Sequence, residues 1–236
     1  MNSWNEMTWE KENTFSINMP GLMKDIYLWV AIALSITGFT AYTVSGSQTL
    51  LSLLFAGKFT MWALLIATVA LVWHLSSAVS RLSLKAVTAM FIIYSVLNGL
   101  TMASIFLVYT MTSIASVFFV TAGTFAVMSA YGYLTKADLS KVGNLCLMGL
   151  FGVIIATVVN MFFANSFLEM LLAYAGVLIF VGLTAYDTHR IREIAYANNT
   201  GTTENGGKLA IMCALTLYLD FINLFIYMLR IFGEKK

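Results

Sequence analysis

Seven runs of apolar sequence, each close to twenty residues long, divide this chain and leave it few ways to fold. A helix needs roughly 20 apolar residues to cross a bilayer, and in lipid each spanning segment must satisfy its own backbone hydrogen bonds. The runs cover about 27–44, 59–79, 86–108, 113–133, 145–163, 168–188 and 208–232. The expected fold class is therefore all-α, a polytopic membrane protein with seven transmembrane helices. Composition agrees. Of the 236 residues, 60% are hydrophobic and 10% charged, against about 25% charged in a soluble domain. Residues 1–20 read as a polar N-terminal arm, whose Trp4 and Trp9 either rest at the interface or are unordered. Residues 21–236 read as a single membrane domain. The one proline, Pro20, precedes the first run, so the helices carry no proline kinks. The first apolar run is too long for a signal-peptide core.

Soluble-enzyme chemistry has no motif to stand on. There is no HExxH, CxxC, Walker glycine loop or GxSxG. Cys146 and Cys213 sit inside apolar runs and read as small core residues. No basic cluster suggests nucleic acid. The chain is not expected to be an enzyme or to hold a resident cofactor or metal, and its expected surroundings are the lipid bilayer.

Lysine and arginine counts set the orientation. Lys11, Lys24, Arg81, Lys85, Lys136, Lys141, Arg190, Arg192 and Lys208 fall on one side of a seven-span layout; Lys58, Arg230, Lys235 and Lys236 fall on the other. The N-terminus is expected in the cytoplasm and the C-terminus outside. Lys235 and Lys236 favour the opposite side, so a re-entrant last helix with both ends cytoplasmic is the alternative.

The last run, KLAIMCALTLYLDFINLFIYMLRIF, carries Asp220 near its middle. A charge there costs about 2.5–3.5 kcal/mol on insertion scales, so an intramembrane carboxylate marks a functional site. Steps of three or four place Cys213, Thr216, Asp220, Asn223 and Tyr227 on one face. Thr216, Asn223 and Tyr227 are candidates for an ion pathway; the plainer reading is polar glue between helices. Ser95 with Gly99, and Gly149 with Gly152, are small residues that let helices approach closely. Asp187 ends the sixth run, and the layout puts Arg81 on the same side. Two carboxylates that meet in a low-dielectric site cannot both ionise easily and would share a proton, which is the physics of a pH sensor. The plainer readings are a helix-end Asp187 exposed to cytoplasm and an Arg81 that snorkels to headgroups.

The segment ALTLYLDFINLFIYMLRIFG (214–233) resembles the C-terminal signature of the Bax inhibitor-1, or transmembrane Bax inhibitor motif, family. GLTAYDT (182–188) resembles its second signature, and the RLS…NGLT region (81–101) fits as well. The similarity runs over nearly the whole chain and is greatest to bacterial inner-membrane members. It implies seven helices with the last enclosed by the other six, and a pH-sensitive calcium leak through the bundle. In that scheme Asp187 and Asp220 are the pH sensor and Arg81 is a latch on one of them.

The resulting expectation is a leak of Ca²⁺, a hard cation that wants oxygen ligands, opened by protons at Asp187. The runner-up is a regulatory membrane protein that binds a membrane protease or a stress-signalling partner. A proton-coupled exchanger is a further reading. An intramembrane aspartyl protease is disfavoured, because the second aspartate reads Tyr-Leu-Asp and no proline follows Pro20.

Overall fold

The computed structural model describes residues 19–55, 57–197 and 203–236. The arm with Trp4, Trp9 and Lys11 lies outside the described residues. The described chain folds into eight helices: α1 (Met19–Ser45), α2 (Gln48–Phe55), α3 (Lys58–Ala78), α4 (Leu84–Val108), α5 (Met111–Leu134), α6 (Ser140–Phe163), α7 (Ser166–Ala197) and α8 (Thr203–Phe232). Six of them, α1 and α4 to α8, are long and apolar enough to cross a membrane. The apolar part of α3, Trp62–Ala78, is shorter.

Local chemistry sets the helix ends. Ser83 accepts a hydrogen bond from the Ala86 N–H and caps α4, and Thr110 accepts from the Ser113 N–H and caps α5. Between α6 and α7, Ala164 takes a left-handed conformation at φ 48°. The Asn165 side chain then accepts from the N–H groups of Phe167 (2.9 Å) and Leu168 (3.2 Å) to start α7. Pro20 falls in the first turn of α1, where its missing N–H costs nothing.

Two stretches differ from the sequence expectation. Residues 189–207, outside the apolar runs, are helical as far as Ala197 and again from Thr203. Buried Ile191 and Ala195 repeat at helical spacing and carry α7 onward. The segment between the first two runs contains α2; its leucines are apolar but too few to span.

α8 forms the core of the bundle. It packs against α1, α4, α5 and α7. Of its apolar window 67% is buried, against 6% for α6 and no more than 33% for any other span. Tyr218, Leu217, Leu224 and Ala214 on α8 have no exposed surface. Phe118, Phe125 and Phe221 interlock edge to face or tilted, joining α5 to α8 with ring centres about 5.4–5.5 Å apart. Glycines bring neighbouring helices close. A Cβ at Gly132 would strike the Ala185 carbonyl oxygen, so α5 and α7 touch backbone to backbone. A Cβ at Gly99 would lie 2.6 Å from Thr40 Cβ, which bears out the packing role expected for Ser95 and Gly99. Gly149 meets Ile179, whereas Gly152 faces open space and packs on nothing.

Candidate functional site

Asp220 lies on the face of α8 that meets α7. It is 5% exposed, and its Oδ2 has no hydrogen-bond partner. Asp187 of α7 is half-buried, and its carboxyl group lies within hydrogen-bonding reach of that of Asp220. The helical continuation beyond 188 explains the meeting. Asp187 stands ten residues before the end of α7, about 15 Å inside it at 1.5 Å per residue, and is not a helix-end residue. A hydrogen bond between two carboxyl groups needs a proton on one of them. Next to the pair, Thr184 and Thr188 are fully buried but direct their hydroxyls back to Phe180 O (2.7 Å) and Thr184 O (2.8 Å).

The structure does not join Arg81 to this pair. Arg81 is exposed in the turn between α3 and α4, and among the described residues it makes no ion pair. The first cation after Asp187 along α7 is Arg190, one helical turn on. The stripe on α8 is not uniformly inward. Thr216 is exposed and donates to its own helix at Met212 O (3.3 Å). Asn223 is half-buried and donates to Leu219 O (2.8 Å). Tyr227 stacks on Phe180 at 5.8 Å, with the Arg230 guanidinium 5.5 Å from its ring centre. Among the described residues no three His, Cys, Asp or Glu side chains gather as metal ligands.

The family model for "Inhibitor of apoptosis-promoting Bax1" matches residues 19–236. The chain belongs to the Bax inhibitor-1 family. It is 46% identical to the inner membrane protein YbhL of Escherichia coli over 214 residues, covering 91% of this chain and 92% of the relative. It is 40% identical to a protein of Borreliella burgdorferi over 98% of both chains. A protein of Rickettsia prowazekii is 37% identical, over 97% of this chain and 96% of its own.

Two polar clusters of this Bax inhibitor-1 chain escaped the sequence reading. On the opposite side of α8 from Asp220, the Tyr218 hydroxyl lies 2.7 Å from Thr37 Oγ1, which lies 3.0 Å from Ser95 O. Asn98 stands one helical turn on from Tyr94 and Ser95, and its buried Nδ2 has no partner. Towards the C-terminal end of α7, Arg192 donates to the carbonyls of Tyr133 and Thr135, closing the C-terminus of α5. His189 Nδ1 lies 3.1 Å from Arg192 Nη2 and 3.3 Å from Gly132 O, and its Nε2 lies 3.3 Å from Glu193 Oε1. The one sequence signal for either cluster is a polar residue inside an apolar run, which Thr37 and Asn98 both are.

Proposed function

We propose that this integral membrane protein is a pH-sensitive calcium leak of the bacterial inner membrane, with Asp187 and Asp220 as the sensor. The observation that carries the reading is the pair itself. Two carboxyl groups on different helices meet inside the bundle, one of them 5% exposed with an unpartnered oxygen. Carboxylate oxygens are what Ca²⁺ seeks when it sheds water. One shared proton suffices to change the charge of the site by a full unit. Membership of the Bax inhibitor-1 family and the inner-membrane relative support the same reading.

The chain crosses seven times in this proposal, α3 supplying the seventh span beside the six long ones. The N-terminus is cytoplasmic, the C-terminus outside, and α8 is enclosed by the other six. Asp187 alternates between two partners. With the proton present it faces Asp220; with the proton lost it draws Arg81 inward. Acid therefore unlatches the leak. Thr216, Asn223 and Tyr227 mark where the route runs along α8.

Arg81→Ala tests the latch. In sealed vesicles at neutral pH the variant should leak Ca²⁺ at the rate the wild type reaches in acid. Flux that stays low at neutral pH, from folded protein, rejects Arg81 as the latch.

A further inference from the structure

α1 and α5 both pack on α8 but make no extended contact with each other. The seam between them holds an apolar space of about 510 Å³ in the half of the bundle nearer the C-terminal end of α1. That volume falls in the ~300–1,000 Å³ range of ligand sites. Small residues make one wall, Ala31, Ser35 and Gly38 of α1 with Ala115 of α5; Phe118 makes another, and Ile222 of α8 forms the floor. The room beside Gly38 is real, because a Cβ built there meets nothing within 4 Å.

Two arguments identify the occupant. The first is polarity. A water needs two to four polar partners, and the hydroxyls of the lining are already engaged. Ser35 donates to Ala31 O (2.8 Å) and Thr37 to Ser95 O (3.0 Å). Protein interiors hold few voids of this size, since an unfilled space forfeits the contacts of its whole lining. The second is continuity. Ala31, Ser35, Gly38 and Ala115 are exposed at the mouth, inside the apolar spans Gly21–Ser45 and Met111–Leu134. The mouth runs into Phe39 and Phe119, 70% and 72% exposed, which belong to the bilayer-facing surface. The space therefore opens sideways to hydrocarbon. A second apolar space along the same seam contains Ser129, whose hydroxyl has no partner, so it offers water a foothold and is a different kind of site.

We infer that the α1–α5 seam is a lateral binding groove for a phospholipid acyl chain, which passes through the wall of the bundle and rests on Ile222 of α8, on the Tyr218 side of that helix. Phe221 and Ile222, the two residues after Asp220, line the groove. The inference stands apart from the calcium reading.

The test uses the full chain in phosphatidylcholine vesicles whose acyl chains carry a photoactivated diazirine. Labelled residues are located by mass spectrometry of the digested protein. Annular lipid reaches Phe119 but not Ile222, Met102 or Ile114, which are 6%, 7% and 9% exposed. The groove predicts label at these three as well as at Phe119. Gly38→Leu, or independently Ala115→Leu, should bring the three to background and leave Phe119 unchanged. Label confined to exposed residues of the wild type overturns the inference. So does label at the three that survives both filling substitutions in folded protein. A second copy seated on the seam, seen as a doubled particle mass with Phe119 shielded, overturns it equally.

Discussion

Asp220 and Tyr218 are two residues apart on α8 and face opposite neighbours, one a carboxyl group and the other a hydroxyl cluster. The Tyr218 hydroxyl spans to Thr37, 181 residues away in sequence, while Thr37 keeps its own bond to Ser95 O. Tyr218→Phe should therefore cost about 0.5–1.5 kcal/mol, towards the lower end because interhelical bonds in membranes average about 0.6 kcal/mol. Thermal unfolding in detergent checks it, and an unchanged midpoint means the hydroxyl is not engaged. The two aspartates were legible in the sequence because a charge in an apolar run is expensive wherever it points. The hydroxyl cluster was not. A tyrosine, a threonine or an asparagine in such a run is cheap enough to be packing, and only the fold brings Thr37, Asn98 and Tyr218 together.

The contact of α5 with α7 rests on a bare backbone. Gly132→Val would drive a side chain into the Ala185 carbonyl and part the two helices, at the ~1–3 kcal/mol of an overpacked core. Gly123→Ala on the same helix meets nothing within 4 Å and should stabilise by up to about 1 kcal/mol through helix propensity alone. Their unfolding midpoints, compared directly, separate close packing from helix propensity. Between α5 and α6, hydrogen bonds from Ser140 hold the exposed Asp138 carboxyl below the usual carboxylate range. A depressed value in the folded state means that the contribution is present above the ordinary value of 3.8 and is lost as pH falls through the lowered one. The protection of the Ser140 amide, relative to an unstructured amide at the same pH, should fall over that acid window, and Asp138→Ala should show the low value already at neutral pH. The long helices were readable from apolar runs, and their ends were not. Residues 189–197 look like a polar loop until Ile191 and Ala195 are seen to be buried, and that displacement is what sets Asp187 inside the bundle.

For the whole molecule, hydropathy gives the number of apolar runs and says nothing of which one is central. α6 and α8 have nearly equal mean hydropathy, 2.3 and 2.1, yet 6% of one window and 67% of the other is buried. Lipid tails and protein interiors are equally apolar, so sequence polarity does not separate them. The central place of α8 emerges from its neighbours α1, α4, α5 and α7. Orientation has its own test. With the N-terminus inside and seven crossings, alkaline phosphatase fused after Lys236 should be active, and the same enzyme fused at Lys136, between α5 and α6, should be inactive. The reverse pattern, or two inactive fusions, rejects the seven-span layout.

The central claim is that a carboxylate pair senses protons and so controls calcium passage. Its most direct test is Ca²⁺ flux into liposomes holding the purified protein, across a pH series, for the wild type and Asp187→Asn. Asparagine keeps the shape and removes the titration. The account predicts a wild-type flux that rises towards acid, by no more than about tenfold per pH unit for a single shared proton, and a variant whose flux does not vary with pH. A variant that keeps the wild-type pH dependence, or a folded wild type that passes no Ca²⁺ at any pH, would contradict it.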